Sequence, residues 1–299
     1  MNDEIGVKIA ISPIAWSNDD LRELGGETSL QTFLDDAKNI GFDGVELGSK
    51  FPNDKKELKS ILKDYNLELA GGWFSGNLLI NSLEEEKENL LKEIERRVFN
   101  GCSNIVYAEC SNTIQGKAIS LSKKPILSND EMKKYAEKYS ILHDFVKQNG
   151  VTLAYHHHMG TIIQTAQEVD LFLRYCSKEV GLTFDTGHFY FAGAHPLYEL
   201  QKHTERIYHI HLKDVRENIK RQCLQKDCNF LEAVLEGIFT TPGNGAIDFC
   251  SIIECLKENK YSGWIVIEAE QDPRKADPFE YSQAAFEFIQ GLLQEKDKK

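Results

Sequence analysis

The segment Val151-Thr152-Leu153-Ala154-Tyr155-His156-His157-His158-Met159-Gly160-Thr161 runs from a short apolar stretch into three adjacent histidines. It follows Gly150, a helix-stopping residue, and reads as a buried strand that ends in polar groups. Side chains alternate along a strand. Thr152, Ala154, His156 and His158 therefore share one face, and Val151, Leu153, Tyr155 and His157 pack on the other. A histidine run is most blandly a solvated loop or a tag remnant. This one is internal, and further Asp, His and Glu clusters recur at the ends of later strands.

Outward from this strand, apolar runs alternate with longer stretches of helical period, the pattern of βα units around a parallel sheet. Before it, strands are expected at Val7 to Ile11, Val45 to Leu47, Leu67 to Phe74 and Asn104 to Ala108. Helices separate them: one through Leu30 to Ile40 that Gly41 ends, one around Leu58 to Tyr65, and one opened by a Ser82/Glu85 capping box that runs to Phe99. A second box, Ser128 with Glu131, starts a long helix to Gln148. After the histidines come a helix over Thr165 to Tyr175, a strand at Val180 to Phe184, a helix near Leu197 to His203 and a strand at Ile207 to Leu212. The longest irregular region, Lys213 to Ile247, follows. A helix around Phe249 to Glu258, a strand at Trp264 to Glu268 and a final helix capped by Asp277-Pro278 complete the chain. Eight such units predict an α/β fold, a single (β/α)8 TIM barrel in which residues 1–299 form one domain. An open doubly wound sheet is the alternative, but no G-x-G-x-x-G follows the first strand.

Composition narrows the function. Hydrophobic residues at 41% supply a sizeable core, and a formal net charge of −12 repels polyanions, so no nucleic-acid partner is expected. No apolar run approaches twenty residues, so no membrane partner is expected either. Met1 to Val7 carries no basic and apolar leader, which points to a cytoplasmic location. The seven cysteines, an odd number with no CxxC pair, read as reduced thiols.

In a barrel of this kind the site is built at the C-terminal ends of the strands. Those ends carry Glu46, Glu109, His156 and His158, Asp185 with His188, then His209, His211 and Lys213, and finally Glu268 and Glu270. Alternation selects one inward residue from each of the last four strands: His156, Asp185, His211 and Glu268. Two imidazoles and two carboxylates suit a divalent metal of intermediate hardness, Mn2+ or Co2+, with Zn2+ also compatible.

Several segments then carry a resemblance. They are Ser12 to Trp16 with Asn18-Asp19-Asp20, Gly71 to Ser75, Tyr155 to Thr161, Phe184-Asp185-Thr186-Gly187-His188, His209-Ile210-His211-Leu212-Lys213-Asp214, Phe239 to Gly245, and Glu268-Ala269-Glu270-Gln271-Asp272-Pro273. Together they resemble the inosose dehydratase family, within the xylose isomerase-like superfamily of sugar-phosphate isomerases, epimerases and endonuclease IV. The resemblance spans nearly the whole chain. It implies a barrel, a requirement for Mn2+ or Co2+, a glutathione requirement, and loss of water from 2-keto-myo-inositol to give a trihydroxycyclohexane-dione. By motif the superfamily's metal ligands fall on Asp185, His211 and Glu268, and His156 stands where the superfamily has a strand-five glutamate. Two-base epimerisation needs both glutamates, so it is the weaker reading. Asn244 stands where the family turn has Asp.

Dehydration of a keto-cyclitol requires a base for the C–H beside the ketone and an acid for the departing hydroxyl. Glu268, Glu270, Lys213 and Glu46 are the candidate bases, and His158 or His188 the candidate acid. His188 and Arg216 are candidates to bind substrate hydroxyls. Trp16, Trp73 and Phe74 are candidates to wall the ring, and the Lys213 to Ile247 region to cover the site. A small polyol or keto-cyclitol is the expected partner, and a homo-oligomer is compatible with the sequence. The alternatives are a keto-sugar isomerase or epimerase on the same barrel, an endonuclease-like DNA binder, and a sugar-binding protein without turnover.

Overall fold

The computed structural model describes residues 6–295; residues 1–5, on which the expectation of no leader rests in part, and residues 296–299 lie outside the described residues. Ten strands occur in chain order: β1 (Val7–Ile11), β2 (Gly44–Leu47), β3 (Glu68–Gly76), β4 (Asn104–Glu109), β5 (Thr152–His156), β6 (Gly181–Asp185), β7 (Ile207–Leu212), β8 (Asp214–Val215), β9 (Phe239–Thr240) and β10 (Gly263–Ile267). Eight of them close into a barrel in the order β1-β10-β7-β6-β5-β4-β3-β2, every neighbouring pair parallel. All eight expected strands are present, so the structure is the (β/α)8 barrel, not an open sheet.

The helices are α1 (Leu30–Ile40), α2 (Lys55–Tyr65), α3 (Leu83–Phe99), α4 (Asn129–Gln148), α5 (Ala166–Tyr175), α6 (Thr186–Phe191), α7 (Pro196–His203), α8 (Glu217–Lys226), α9 (Phe230–Leu235), α10 (Phe249–Glu258) and α11 (Pro278–Gln294). Their ends follow local chemistry. Ser82 and Ser128 open α3 and α4 with complete capping boxes, and Thr165 does the same for α5 with Glu168. Gly41 ends α1 in the left-handed region at φ 104°, where a side chain is strained. The apolar helix faces pack on the outward strand residues, among them Leu153, Tyr155, Leu182, Phe184, Ile210 and Ile265, in one continuous core. Inside the barrel the residues are small where strands converge: Ala10, Ala70 and Val266 form their own cluster.

One expectation is corrected. The Lys213 to Ile247 region is not irregular: β8 and β9 pair as an antiparallel hairpin, and α8 and α9 lie between them. Asp214 organises its base, accepting hydrogen bonds from the amides of Val215, Gly243, Gly245 and Ile247. A short helix, α6, also starts directly after β6, because Asp185 Oδ1 caps it by accepting from the His188 amide at 2.8 Å. No helix among the described residues is long and apolar enough to cross a membrane.

Candidate active site

The strand ends converge as alternation requires. On β5, His156 turns inward and His157 outward, where it stacks against Phe189 with centroids 3.8 Å apart. The register between β6 and β7 shifts after Leu182, which pairs with Ile207 while Thr183 pairs with His209, so Tyr208 is an extra residue on β7. That extra residue lets Ile207 and Ile210, three positions apart, both pack in the outer apolar core while His209 and His211 point inward. The result is a cleft with an internal volume of about 100 Å3, lined by Ser12, Asp20, Glu46, Trp73, Gln115, His156, His158, His211, Glu268 and Glu270 among others.

At its floor, ligand atoms of Asp185, His211 and Glu268 lie within 4.8 Å of one another. His156 Nε2 stands 3.6 Å from Asp185 Oδ2. His211 Nδ1 is 2.6 Å from Glu268 Oε2 and 3.7 Å from Asp185 Oδ2, yet neither His211 Nδ1 nor Asp185 Oδ2 has an aligned hydrogen-bond partner, although both are buried. On the other side of the ring, His211 Nε2 approaches Glu46 Oε1 at 3.3 Å. A carboxylate only accepts, so that nitrogen carries the proton and a neutral His211 turns a bare Nδ1 toward two carboxylates. A positive charge must stand between them. Without a cation it is a proton: burial disfavours it, but Glu46 and Glu268 together hold the His211 imidazolium well above its ordinary range. The donor set and its orphaned atoms therefore fit a divalent cation.

Beside this floor lies Lys213, fully buried. Its ammonium donates to Glu270 Oε1 at 2.9 Å, pairs with Glu268 Oε1 at 2.7 Å and lies 3.2 Å from His188 Nε2. Burial alone would lower its pKa, but Asp185, Glu268 and Glu270 outweigh burial and keep it charged. Lys213 is thus a fixed cation with no free lone pair to act as base. Glu270 is the opposite case. Burial pushes its carboxyl up to about 7, partly countered by Lys213, and its Oε2 is buried without a partner. Burial, then the charges of His156 and Lys213, press His158 down to about 3. Its Nδ1 lies 2.9 Å from the Met159 carbonyl, which only accepts, so a neutral His158 turns its Nε2 lone pair away from that bond.

The other expected residues fall in different places. Trp73 lines the cleft, with its ring 5.5 Å from His156 and 5.4 Å from His158. Trp16 does not: it is buried against Phe33 and donates to Asp36 at 2.7 Å. Phe74 stacks on Tyr107 beside an outer groove that Arg96 and Arg97 also line. His188 sits behind Lys213, away from the cleft wall. Arg216 is spent on the β8–β9 hairpin, donating to the Gly237 and Phe239 carbonyls, Thr240 Oγ1 and Asn244 Oδ1. Asn244 thereby has a turn-holding role. Glu109 accepts from the Leu79 and Ser111 amides and lies off the cleft. Asp20, quoted in sequence only as part of a motif, and Gln115, not singled out there, both face the cleft, and Gln115 Nε2 donates to Asp20 Oδ2 at 3.1 Å across 95 positions. Asn18 Oδ1 fixes Asp20 by accepting from its amide, an Asx turn readable in Asn18-Asp19-Asp20. A further grouping, Asp170, Glu199 and His203, lies outside the barrel and already carries the Lys202 ammonium.

Residues 34–292 match the family described as Xylose isomerase-like TIM barrel. The chain is 41% identical over 290 residues to the inosose dehydratase of Mesomycoplasma hyopneumoniae, covering 96% of each protein. It is 42% identical over 287 residues to the rhizopine catabolism protein MocC of Rhizobium meliloti, covering 96% of this chain and 88% of that one. Among solved structures, a probable 3-DHS dehydratase, AsbF from Bacillus anthracis, superposes with a TM-score of 0.71 at 15% identity, covering 95% of this chain and 98% of that one. The IOLI protein, solved with a binding zinc atom, superposes with a TM-score of 0.67 at 16% identity, covering 95% and 96%. These two likenesses speak to the fold; the closer sequence matches carry the assignment, and the chain belongs to the xylose isomerase-like TIM-barrel family and, within it, to the inosose dehydratases.

Proposed function

We propose that this protein removes water from 2-keto-myo-inositol to give a trihydroxycyclohexane-dione. The carrying observation is the meeting of His156, Asp185, His211 and Glu268 on the floor of one cleft, next to a Glu270 carboxyl that Lys213 holds by one oxygen only. Mn2+ or Co2+ at those four residues would supply Lewis-acid polarisation of the ketone, which acidifies the neighbouring C–H. Glu270 Oε2 takes that proton. The C–H electron pair forms the new double bond, the β C–O bond breaks, and the departing hydroxyl takes the proton back from Glu270 and leaves as water; the enol that remains tautomerises to the dione as its hydroxyl proton moves to the β carbon. A carboxyl near pH 7 serves both halves. Asp20, oriented by Gln115, and the His158 Nε2 lone pair accept hydrogen bonds from ring hydroxyls, and Trp73 covers a ring face. Lys213 keeps Glu268 and Glu270 in place.

The test is incubation of the protein and Mn2+ or Co2+ with inosose, watching for new ultraviolet absorbance from the dione. Ketohexoses in parallel detect isomerase or epimerase activity. The match to a rhizopine catabolism protein favours a second arm with rhizopine. Turnover of a ketohexose and none of a keto-cyclitol would overturn the proposal. Among the described residues the seven cysteines are all free thiols, which supports a reducing, cytoplasmic setting.

A further inference from the structure

Glu46 is buried at the end of β2, and its carboxylate is gripped from β7 by two imidazoles. His209 Nε2 lies 2.8 Å from Oε1, and His211 Nε2 lies 3.3 Å from each oxygen. His209 is fully buried. The close approach depends on Gly71 of β3: a Cβ there would come within 2.9 Å of Glu46 Oε1 and 3.2 Å of His209 Nε2. With both Nε2 hydrogens pointing at Glu46, its oxygens are occupied as acceptors and the free nitrogen of His211 faces Asp185 and Glu268.

We propose that Glu46 is a positioning residue rather than a proton-transfer group: its carboxylate takes the His211 Nε2–H, so that Nδ1 is presented as a lone pair to a cation shared with Asp185 and Glu268. His209 locks the carboxylate from the barrel side. A carboxylate behind a ligating histidine orients the ring and raises its basicity, and losing such a partner costs about 10–100-fold in metal affinity. The inference rests on the reading of this floor as a cation site.

The experiment is titration of Co2+ into metal-free protein, followed by calorimetry and by the visible absorption of the bound ion. In Glu46→Ala, Co2+ affinity falls about 10–100-fold, and turnover recovers as Co2+ is raised. In Glu46→Gln, a neutral acceptor about half as strong replaces the charged one, so affinity falls by less than in Glu46→Ala. If Glu46→Ala does not fold, Glu46→Gln decides alone by a measurable loss of Co2+ affinity. Wild-type Co2+ affinity in Glu46→Gln, with turnover down about 10^2–10^4-fold at saturating Co2+, marks a proton-transfer carboxylate and overturns the proposal. Unaltered affinity in Glu46→Ala beside lost affinity in Asp185→Ala overturns the positioning role alone. A wild-type protein that takes up no Co2+ overturns the cation site and the positioning role together.

Discussion

At the scale of single residues, three polar atoms of the candidate site are buried one partner short. Asp185 Oδ2, His211 Nδ1 and Glu270 Oε2 are all buried without an aligned hydrogen bond, an arrangement that costs stability unless something else supplies the interaction. His156→Ala or Asp185→Ala should leave the far-ultraviolet circular dichroism of the wild type but abolish bound metal on elemental analysis, with turnover lost alongside. Glu270→Gln makes the complementary test. It preserves shape and the Lys213 contact, so metal content stays at the wild-type level while turnover drops by about 10^2–10^4-fold. Metal loss in that variant would mean Glu270 serves the floor and not the proton.

At the scale of elements, helix ends and buried packing make separable predictions. Thr165 caps α5, with its hydroxyl accepting from the Glu168 amide at 3.3 Å and Glu168 returning the bond. Thr165→Ala should lower unfolding free energy by about 1 kcal/mol in urea titration. His143 on α4 is buried, with Asp144 at 3.5 Å. Burial holds its pKa below the ordinary value, only partly countered by Asp144. The unfolded chain therefore binds the proton first as pH falls. Stability from this residue is full above about pH 6.5 and declines below it, toward the folded-state pKa. Between pH 6.5 and 5 the wild-type melting temperature should fall faster than that of His143→Leu; parallel curves would refute it. The β3–β4 contact is tight in a different way. A Cβ at Gly76 would lie 1.9 Å from Tyr107 Cζ, so Gly76→Ala should cost about 1–3 kcal/mol by overpacking.

At the scale of the molecule, the barrel and its floor are energetically distinct. The continuous apolar core joins strands to helices, and the candidate ligands are polar residues at the strand ends inside the barrel. Chelation should leave the protein folded, with its unfolding free energy lowered only by the lost binding, about 2.7 kcal/mol for a metal supplied at a hundred times its Kd. Unfolding on chelation would show the cation to be structural. The segment from α9 to β9 ties the periphery to the site: Phe230 packs edge-on to His158 at 5.0 Å, and Phe239 lies 4.7 Å from the Lys213 ammonium. These aromatics wall the polar cluster from behind and help keep water out of it.

Strand alternation and the run of histidines were enough to place His156, Asp185, His211 and Glu268 inward, because side-chain period is a local property of extended backbone. The capping boxes of α3 and α4 were legible for the same reason. The chain alone did not disclose α8 and α9 or the two-residue strands β8 and β9, whose order comes from Asp214 reaching amides up to Ile247. Nor did it separate Arg216 and Trp16, which bond within the scaffold, from Asp20 and Gln115, which face the cleft. Local pattern determined which residues share a face. Closure of the barrel decided which of them meet, because partners such as Glu46 and His209 are brought to 2.8 Å only when β2 and β7 stand across one narrow interior.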